Sequence, residues 1–191
     1  STGVSTNIYA QKISAGDGST MWASPVQVSN LPGNHNNISQ GDVAADNAGG
    51  AFIAWTDTIS YFPTFHSDVY VQKIDSNGNT VWANEINVTN DNISDLGEGN
   101  PRILNDENGG VYVTWNLVSG LFSVYDNYMT HLDSNGNVET NWNTGAMDTF
   151  RTVHIANSFG EEYGIVNLWL QADNNIATAF RRDDSTEITG D

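Results

Sequence analysis

Two short segments of this sequence space oxygen-bearing side chains as a cation site does. These side chains stand at alternate positions, as Asp75, Asn77 and Asn79 in one segment and as Asp133, Asn135 and Asn137 in the other. An EF-hand calcium loop begins in this way, but its sixth-position Gly and twelfth-position Glu do not follow here. An ordinary Asx-rich hairpin turn has the same composition, and we favour that interpretation. The sequence still makes Asp75, Asn77, Asp133 and Asn135 candidate metal ligands.

The excess of carboxylates makes calcium the cation to expect, for instance near Asp91, Asp95 and Glu98. Zinc is not expected, because the four histidines are scattered and no two have the spacing of zinc ligands. Calcium is therefore the one cofactor that the sequence suggests.

Acid–base hydrolysis of a glycan would need two carboxylates facing each other across a cleft. The chain has 23 acidic residues, so candidates are too many to be informative. Glu98, Glu161 and Glu162 fall in stretches that read as irregular loops, and a surface carboxylate is the favoured interpretation for each. The sequence holds no nucleophile elbow, phosphate loop or dinucleotide fingerprint. We therefore expect a protein without catalytic residues in this segment.

Aromatic side chains cluster in two segments where a polar connection between strands is expected. The first connection carries Tyr61, Phe62 and Phe65, and its counterpart carries Phe122 and Tyr125. Exposed apolar clusters tend to mark interaction sites, and aromatic rings beside amide side chains suit a sugar. We take these five residues as candidate ligand-binding residues. The alternative, which is favoured, is that they fold back over the core.

The charge of the chain excludes several partners. Six Lys and Arg residues face 23 Asp and Glu residues, which gives a net charge of -17. Such a surface repels phosphate backbones and anionic lipids, so we expect neither nucleic acid nor a membrane surface as a partner. No apolar run approaches the 18 residues of a membrane span, so we expect no membrane insertion.

The positions of the six tryptophans indicate an internal repeat, the signal to seek first. Trp22, Trp82 and Trp142 follow one another at intervals of 60 residues, as do Trp55 and Trp115, and Trp169 comes 54 residues later. We expect these tryptophans in the core.

Motifs around the tryptophans recur with them. They are Ile8-Tyr-Ala-Gln-Lys-Ile13 with Val69-Tyr-Val-Gln-Lys-Ile74, Asp75-Ser-Asn-Gly-Asn79 with Asp133-Ser-Asn-Gly-Asn137, and Asp46-Asn-Ala-Gly-Gly50 with Asp106-Glu-Asn-Gly-Gly110. Each unit reads as four short strands separated by turn residues, and no segment sustains a helical period. Four antiparallel strands with a fixed aromatic are typical of propeller blades. The predicted fold is therefore all-β, with tandem four-stranded antiparallel units in a propeller-like arrangement, and a row of sandwich domains is the alternative.

The units do not fill the chain evenly. We predict one repeat domain over 1–191, with a partial unit at 7–29, whole units at 40–91 and 100–147, and a divergent partial unit at 150–191. Three interpretations follow: the chain is part of a larger propeller, its ends meet to complete a unit, or several chains complete a ring. The first is favoured, and the partners to expect are flanking domains or further copies of the chain.

The repeated motifs resemble the propeller-like repeats of secreted and cell-surface proteins of Bacteroidetes-like bacteria. They are also loosely similar to the Asp-box repeats of sialidase-type propellers, although residues 76–82 do not place an Asp where the Asp-box has one. The resemblance implies an extracellular or cell-surface location.

These observations together lead to a functional hypothesis. We expect an extracellular, non-catalytic binding or adhesion module, with a polysaccharide or a cell-surface glycan as ligand. The alternatives are part of a propeller-type glycan-processing enzyme, a hydrolase or lyase, and a structural spacer of a cell-surface filament.

Overall fold

The computed structural model describes residues 6–30, 37–60, 66–89, 96–119, 124–139, 153–156, 164–172 and 175–181. All regular structure in these residues is β, without a helix, so none of their segments forms a helix that could cross a membrane. The strands are β1 (Tyr9–Ala10), β2 (Val26–Gln27), β3 (Asn37–Ala45), β4 (Ala51–Ser60), β5 (His66–Ile74), β6 (Ile86–Asn87), β7 (Leu96–Asn105), β8 (Val111–Ser119), β9 (Val124–Leu132), β10 (Val153–Ala156), β11 (Gly164–Leu170) and β12 (Ile176–Arg181). The predicted all-β class is confirmed.

The described strands form three sheets, none of which closes on itself. Two of them are strand pairs, β1–β2 and β11–β12. The third has eight strands in the order β10-β9-β8-β7-β5-β4-β3, with β6 added to β5. Its pairs are antiparallel except β5–β7, which are parallel and share the single pair Ser67–Gly97. This sheet thus consists of two antiparallel groups, β3–β6 and β7–β10, joined by one short parallel contact.

Both faces of the first group are buried. Phe52 and Val71 on one face belong to a core cluster with Val113 and Trp115 of the second group. On the other face, Trp55 belongs to a second cluster that includes Val28, beside β2. Because both faces are covered, β4 begins with the uninterrupted apolar run from Ala51 to Trp55 rather than with a strict alternation.

Hydrogen bonds and steric limits together explain why the Asp-x-x-Gly-Gly motif needs its Asp and its two Gly residues. The Asp46 carboxylate accepts hydrogen bonds from the backbone nitrogens of Ala48 at 2.8 Å and Gly50 at 2.7 Å. Gly49 has a φ of 91°, a left-handed conformation that favours glycine. A Cβ at Gly50 would lie 2.1 Å from the carbonyl oxygen of Ile74, so only glycine fits there. Residues 106–110 form the same turn with the same bonds.

One kind of tryptophan contact occurs twice, first from the β1–β2 pair to the first strand group and then from the first strand group to the second. The indole nitrogen of Trp22 donates to the carbonyl oxygen of Ser76, and that of Trp82 donates to the carbonyl oxygen of Ser134, both at 3.1 Å. We call each of these contacts an indole clasp. In each, a Cβ added to the turn glycine, Gly78 or Gly136, would touch the indole ring, so only glycine leaves room for it.

Lysine side chains make a second recurring contact. Lys12 Nζ donates to the carbonyl oxygen of Gly49 at 2.8 Å, and Lys73 Nζ donates to that of Gly109 at 2.9 Å. The Lys of the Gln-Lys-Ile motif thus stabilises the glycine turn that follows it in the chain.

The expectation that the regular tryptophans lie in the core is confirmed for three of them and wrong for one. Trp55, Trp82 and Trp115 are buried, whereas Trp169 is 46% exposed. The reason is its strand: Trp55 and Trp115 follow the turn of their hairpin, but Trp169 precedes the turn between β11 and β12. Trp22 is half-buried, and Trp142 lies outside the described residues.

Candidate functional site

Both of the predicted aromatic connections lie at one edge of the large sheet, by which we mean the side where its strands end and not an edge strand. Successive pairs link Thr58 to Ser67, Ser67 to Gly97, Gly97 to Val118, and Val118 to Tyr125. Neighbouring strands lie about 4.8 Å apart, so Ser67 and Val118, next to the two connections, lie roughly 10 Å apart. The structure therefore brings the ends of both connections together at one edge.

The aromatic candidates themselves fall mostly outside the described residues. These are Tyr61, Phe62, Phe65 and Phe122. The backbone of Tyr125 lies in β9, paired with Val118. Their role in binding stays a prediction.

Beneath this edge, acidic side chains lie inside the protein. Asp57, Asp68 and Glu98 are all buried. Asp57 pairs with Asp68 across β4 and β5, and the Ser67 hydroxyl donates to the carbonyl oxygen of Glu98 at 2.8 Å. The expectation of a surface loop for Glu98 is wrong, because this residue lies on β7 with its side chain turned inward. Glu161 and Glu162 are outside the described residues.

Asp68 is the centre of a hydrogen-bond network that we call the Asp68 network. Its Oδ2 accepts from Asn87 Nδ2 at 2.7 Å and from the Tyr70 hydroxyl at 3.4 Å. Its Oδ1 accepts from the Thr89 hydroxyl at 3.3 Å and lies 3.3 Å from His66 Nε2. A carboxylate offers about four lone-pair sites, so these four partners occupy Asp68. The network holds β6 and Thr89, two residues after it, against β5.

Tyr70 stays a hydrogen-bond donor in this environment. Its burial, followed by the negative charges of Asp68 and Asp57, raises the pKa of the phenol far above its ordinary value. Its ring also stacks on Trp55, with 6.2 Å between centroids. Tyr70 therefore connects the Asp68 network to the second core cluster.

The four candidate metal ligands lie in two matching hairpin turns. Asp75 Oδ1 accepts from the backbone nitrogens of Asn77 at 2.8 Å and Asn79 at 2.9 Å, and Oδ2 accepts from the Asn79 amide at 3.0 Å. Asp133 makes the same bonds in the turn that contains Asn135. In each turn the side-chain amide of the fifth residue, Asn79 or Asn137, donates a hydrogen bond to the carboxylate. This hydrogen bond is the largest cause that lowers the pKa of Asp75 and of Asp133. These bonds stabilise the turns.

The described residues contain no group of three or more His, Asp and Glu side chains arranged for a metal ion. Asp91 and Asp95 lie outside the described part of the chain. Calcium binding stays a prediction for both turns and for that region.

Sequence analysis missed an apolar groove of about 380 Å³ between β1 and the first strand group. We call it the β1 groove. It is lined by Tyr9, Lys12, Trp22, Val43, Ala51 and Ile53, among others. Val43 at its rim is 66% exposed, although it lies in the middle of a strand. Because the sequence does not show which neighbours cover β3, no pattern in it marks this groove.

Comparison with protein-family models, with curated protein sequences and with solved structures gave no match for this chain.

Proposed function

We propose that this chain is an extracellular, non-catalytic binding or adhesion module built from propeller-like four-stranded units, with a polysaccharide or a cell-surface glycan as its ligand. The observation that carries the proposal is the common edge at which both aromatic connections leave the large sheet. Binding residues are commonly placed on loops that a rigid scaffold holds.

Correspondence between the two strand groups supports the propeller-like arrangement. Ala51 pairs with Ile74 in the first group, and Val111 pairs with Leu132 in the second, in the same register. The indole clasps and lysine contacts recur between successive groups. In addition β7 packs against β3, and β11 packs against β7. Stacking in which each unit covers the next is how propeller blades bury their faces.

The Asp68 network supports a binding role over a catalytic one. A general acid or nucleophile needs a free oxygen directed at a substrate, whereas both oxygens of Asp68 serve partners in its own strand group. This bonding gives the edge below the aromatic connections a fixed shape. A preorganised scaffold lowers the entropy that binding loses.

A glycan-array screen of the folded chain, run once with calcium and once with EDTA, tests the proposal. We expect reproducible hits that Tyr61→Ala and Phe65→Ala each weaken by about tenfold or more. Tyr9→Ala removes an exposed aromatic ring elsewhere and should leave the hits unchanged. Hits that EDTA abolishes and that Asp75→Asn or Asp133→Asn weakens would assign calcium to a turn.

Two outcomes would contradict the proposal. Absence of any hit under both conditions would favour a structural spacer. Turnover of an array glycan would favour the glycan-processing alternative.

A further inference from the structure

The segment 9–13, which begins with β1, exposes side chains whose counterparts in the first strand group are covered. Tyr9 is 59% exposed, whereas Tyr70 at the same place in its motif is 8% exposed. Ile13 is likewise exposed, whereas Ile74 is buried. The cause lies in the pairing: β5 lies between β4 and β6, but among the described strands β1 pairs with β2 alone. The side of β1 that has no partner among the described strands therefore carries side chains of the kind found on an interior strand.

The β1 groove has the shape of a missing aromatic side chain. In the first strand group Phe52 lies under Lys73, with 4.8 Å from Nζ to the ring centroid, and 6.0 Å from the ring of Trp82. Ile103 and Val113 of the second strand group belong to the same buried cluster as Phe52.

The residues at matching places line the groove. These pairs are Lys12 for Lys73, Trp22 for Trp82, Val43 for Ile103 and Ile53 for Val113. Ile103 is 7% exposed, against 66% for Val43. An aromatic side chain that stands in a neighbouring hairpin where Phe52 stands in the β3–β4 hairpin would therefore fill the groove.

The β11–β12 hairpin presents such a side chain. Trp169 pairs with Ala177 one step from the turn, as Ala44 pairs with Phe52 in the β3–β4 hairpin. In the β3–β4 hairpin the small residue, Ala44, stands on the first strand and the large one on the second. In the β11–β12 hairpin the order is reversed, with Trp169 on the first strand and Ala177 on the second. Trp169 is also among the exposed large hydrophobic side chains.

We propose that the β11–β12 hairpin of a second copy of this chain docks beside β1–β2, with its Trp169 in the β1 groove. In this complex β12 pairs with β1 as β4 pairs with β5, which sets Ile176 opposite Ile13. The two strand pairs then make one four-stranded group across two chains. The proposal rests on the unit architecture proposed above and is independent of glycan binding.

The stoichiometry follows from the strand groups. The described residues of each copy form two four-stranded groups and two strand pairs. Two copies joined at two identical junctions contain six four-stranded groups, within the range of about four to eight for propeller rings. A closed two-fold ring leaves no free docking edge, which is the common arrangement of homo-oligomers.

Light scattering after size-exclusion chromatography, over a concentration series, tests the association. We expect a mass of twice 20.8 kDa for the unaltered chain. Trp169→Ala removes the side chain that fills the groove, and Val43→Arg blocks the groove, so each should raise the dissociation constant more than about tenfold. Val81→Ala truncates an exposed apolar side chain elsewhere and should leave the mass unchanged. A 20.8 kDa species at every concentration would overturn the proposal.

Cross-linking tests the register and does not depend on a disruptive substitution. The chain has no cysteine, so single introduced thiols report on one contact each. We expect a mixture of Ile13→Cys and Ile176→Cys chains to form a linked dimer on air oxidation, with little linkage in either variant alone. Equal linkage in all three samples would show a different interface and would overturn the proposed docking, whatever the glycan array reports.

Discussion

At the scale of single residues, Asp68 shows how one buried carboxylate can organise a strand group. Its four partners are His66 and Tyr70 on β5, Asn87 on β6, and Thr89, two residues after β6. A buried charge is tolerated when it is fully hydrogen-bonded, and its removal takes a charged acceptor away from each of its donors.

We therefore expect Asp68→Ala to lower the free energy of unfolding by about 3 kcal/mol, since Tyr70, Asn87 and Thr89 all lose the charged oxygen that accepts from them. Urea denaturation followed by tryptophan fluorescence measures the change. Asp17→Ala, in an exposed turn, is the matched control and should change stability by less than about 1 kcal/mol. Equal effects of the two substitutions would show that the network contributes no stability.

At the scale of strands and turns, the indole clasps connect each strand group to the turn of the next. Trp82 is buried, and it donates to Ser134 while its ring covers Gly136. Trp22 makes the equivalent bond to Ser76, but it borders the β1 groove and is only half-buried.

We expect Trp82→Ala to cost about 3–5 kcal/mol of stability, because it leaves a cavity between two strand groups. Trp22→Ala should cost clearly less, since part of its ring already faces solvent. Guanidinium denaturation of the two variants at one concentration, with Val81→Ala as an exposed control away from the groove, gives the comparison. A larger cost for Trp22 would contradict this account of the core.

The sequence allowed the turns and the main strands to be predicted because their determinants are local. The Asp-x-x-Gly-Gly turns need glycine for steric reasons, and the paired glycines can be recognised in the sequence itself. The sequence predicts four short strands in each unit, and in the first strand group the fourth of them is reduced to Ile86–Asn87, which pair with β5. The exposure of Trp169 was not predicted, because a run of apolar residues does not reveal whether it precedes or follows the turn of a hairpin.

The candidate site could be predicted only in part. Aromatic residues in a polar connection stand out in a sequence, and this marked Tyr61 and Phe65. Burial of Asp57, Asp68 and Glu98 depends on strand pairing between residues far apart, and in a chain with 23 acids these three look like any others. The β1 groove depends on tertiary packing in the same way.

At the scale of the whole molecule, the net charge of -17 opposes compaction and self-association alike. At about 0.1 M salt the screening length is roughly 10 Å, so repulsion across the surface falls as ionic strength rises.

We expect the urea midpoint of unfolding and the fraction of dimer both to increase between about 0.02 M and 0.5 M NaCl. Repeating the series near pH 4, where many carboxylates are protonated, should reduce the salt effect. A midpoint that does not respond to salt at neutral pH would mean that surface repulsion contributes little to the stability of this fold.

The single backbone pair between Ser67 and Gly97 has a mechanical consequence. Within each strand group the ladders run for many residues, whereas β5 and β7 share only this pair. Under tension applied along the chain, the seam between β5 and β7 should part before either ladder ruptures. A pulled molecule would then lengthen in discrete steps, each the release of one intact strand group, so that the chain yields before its ladders break.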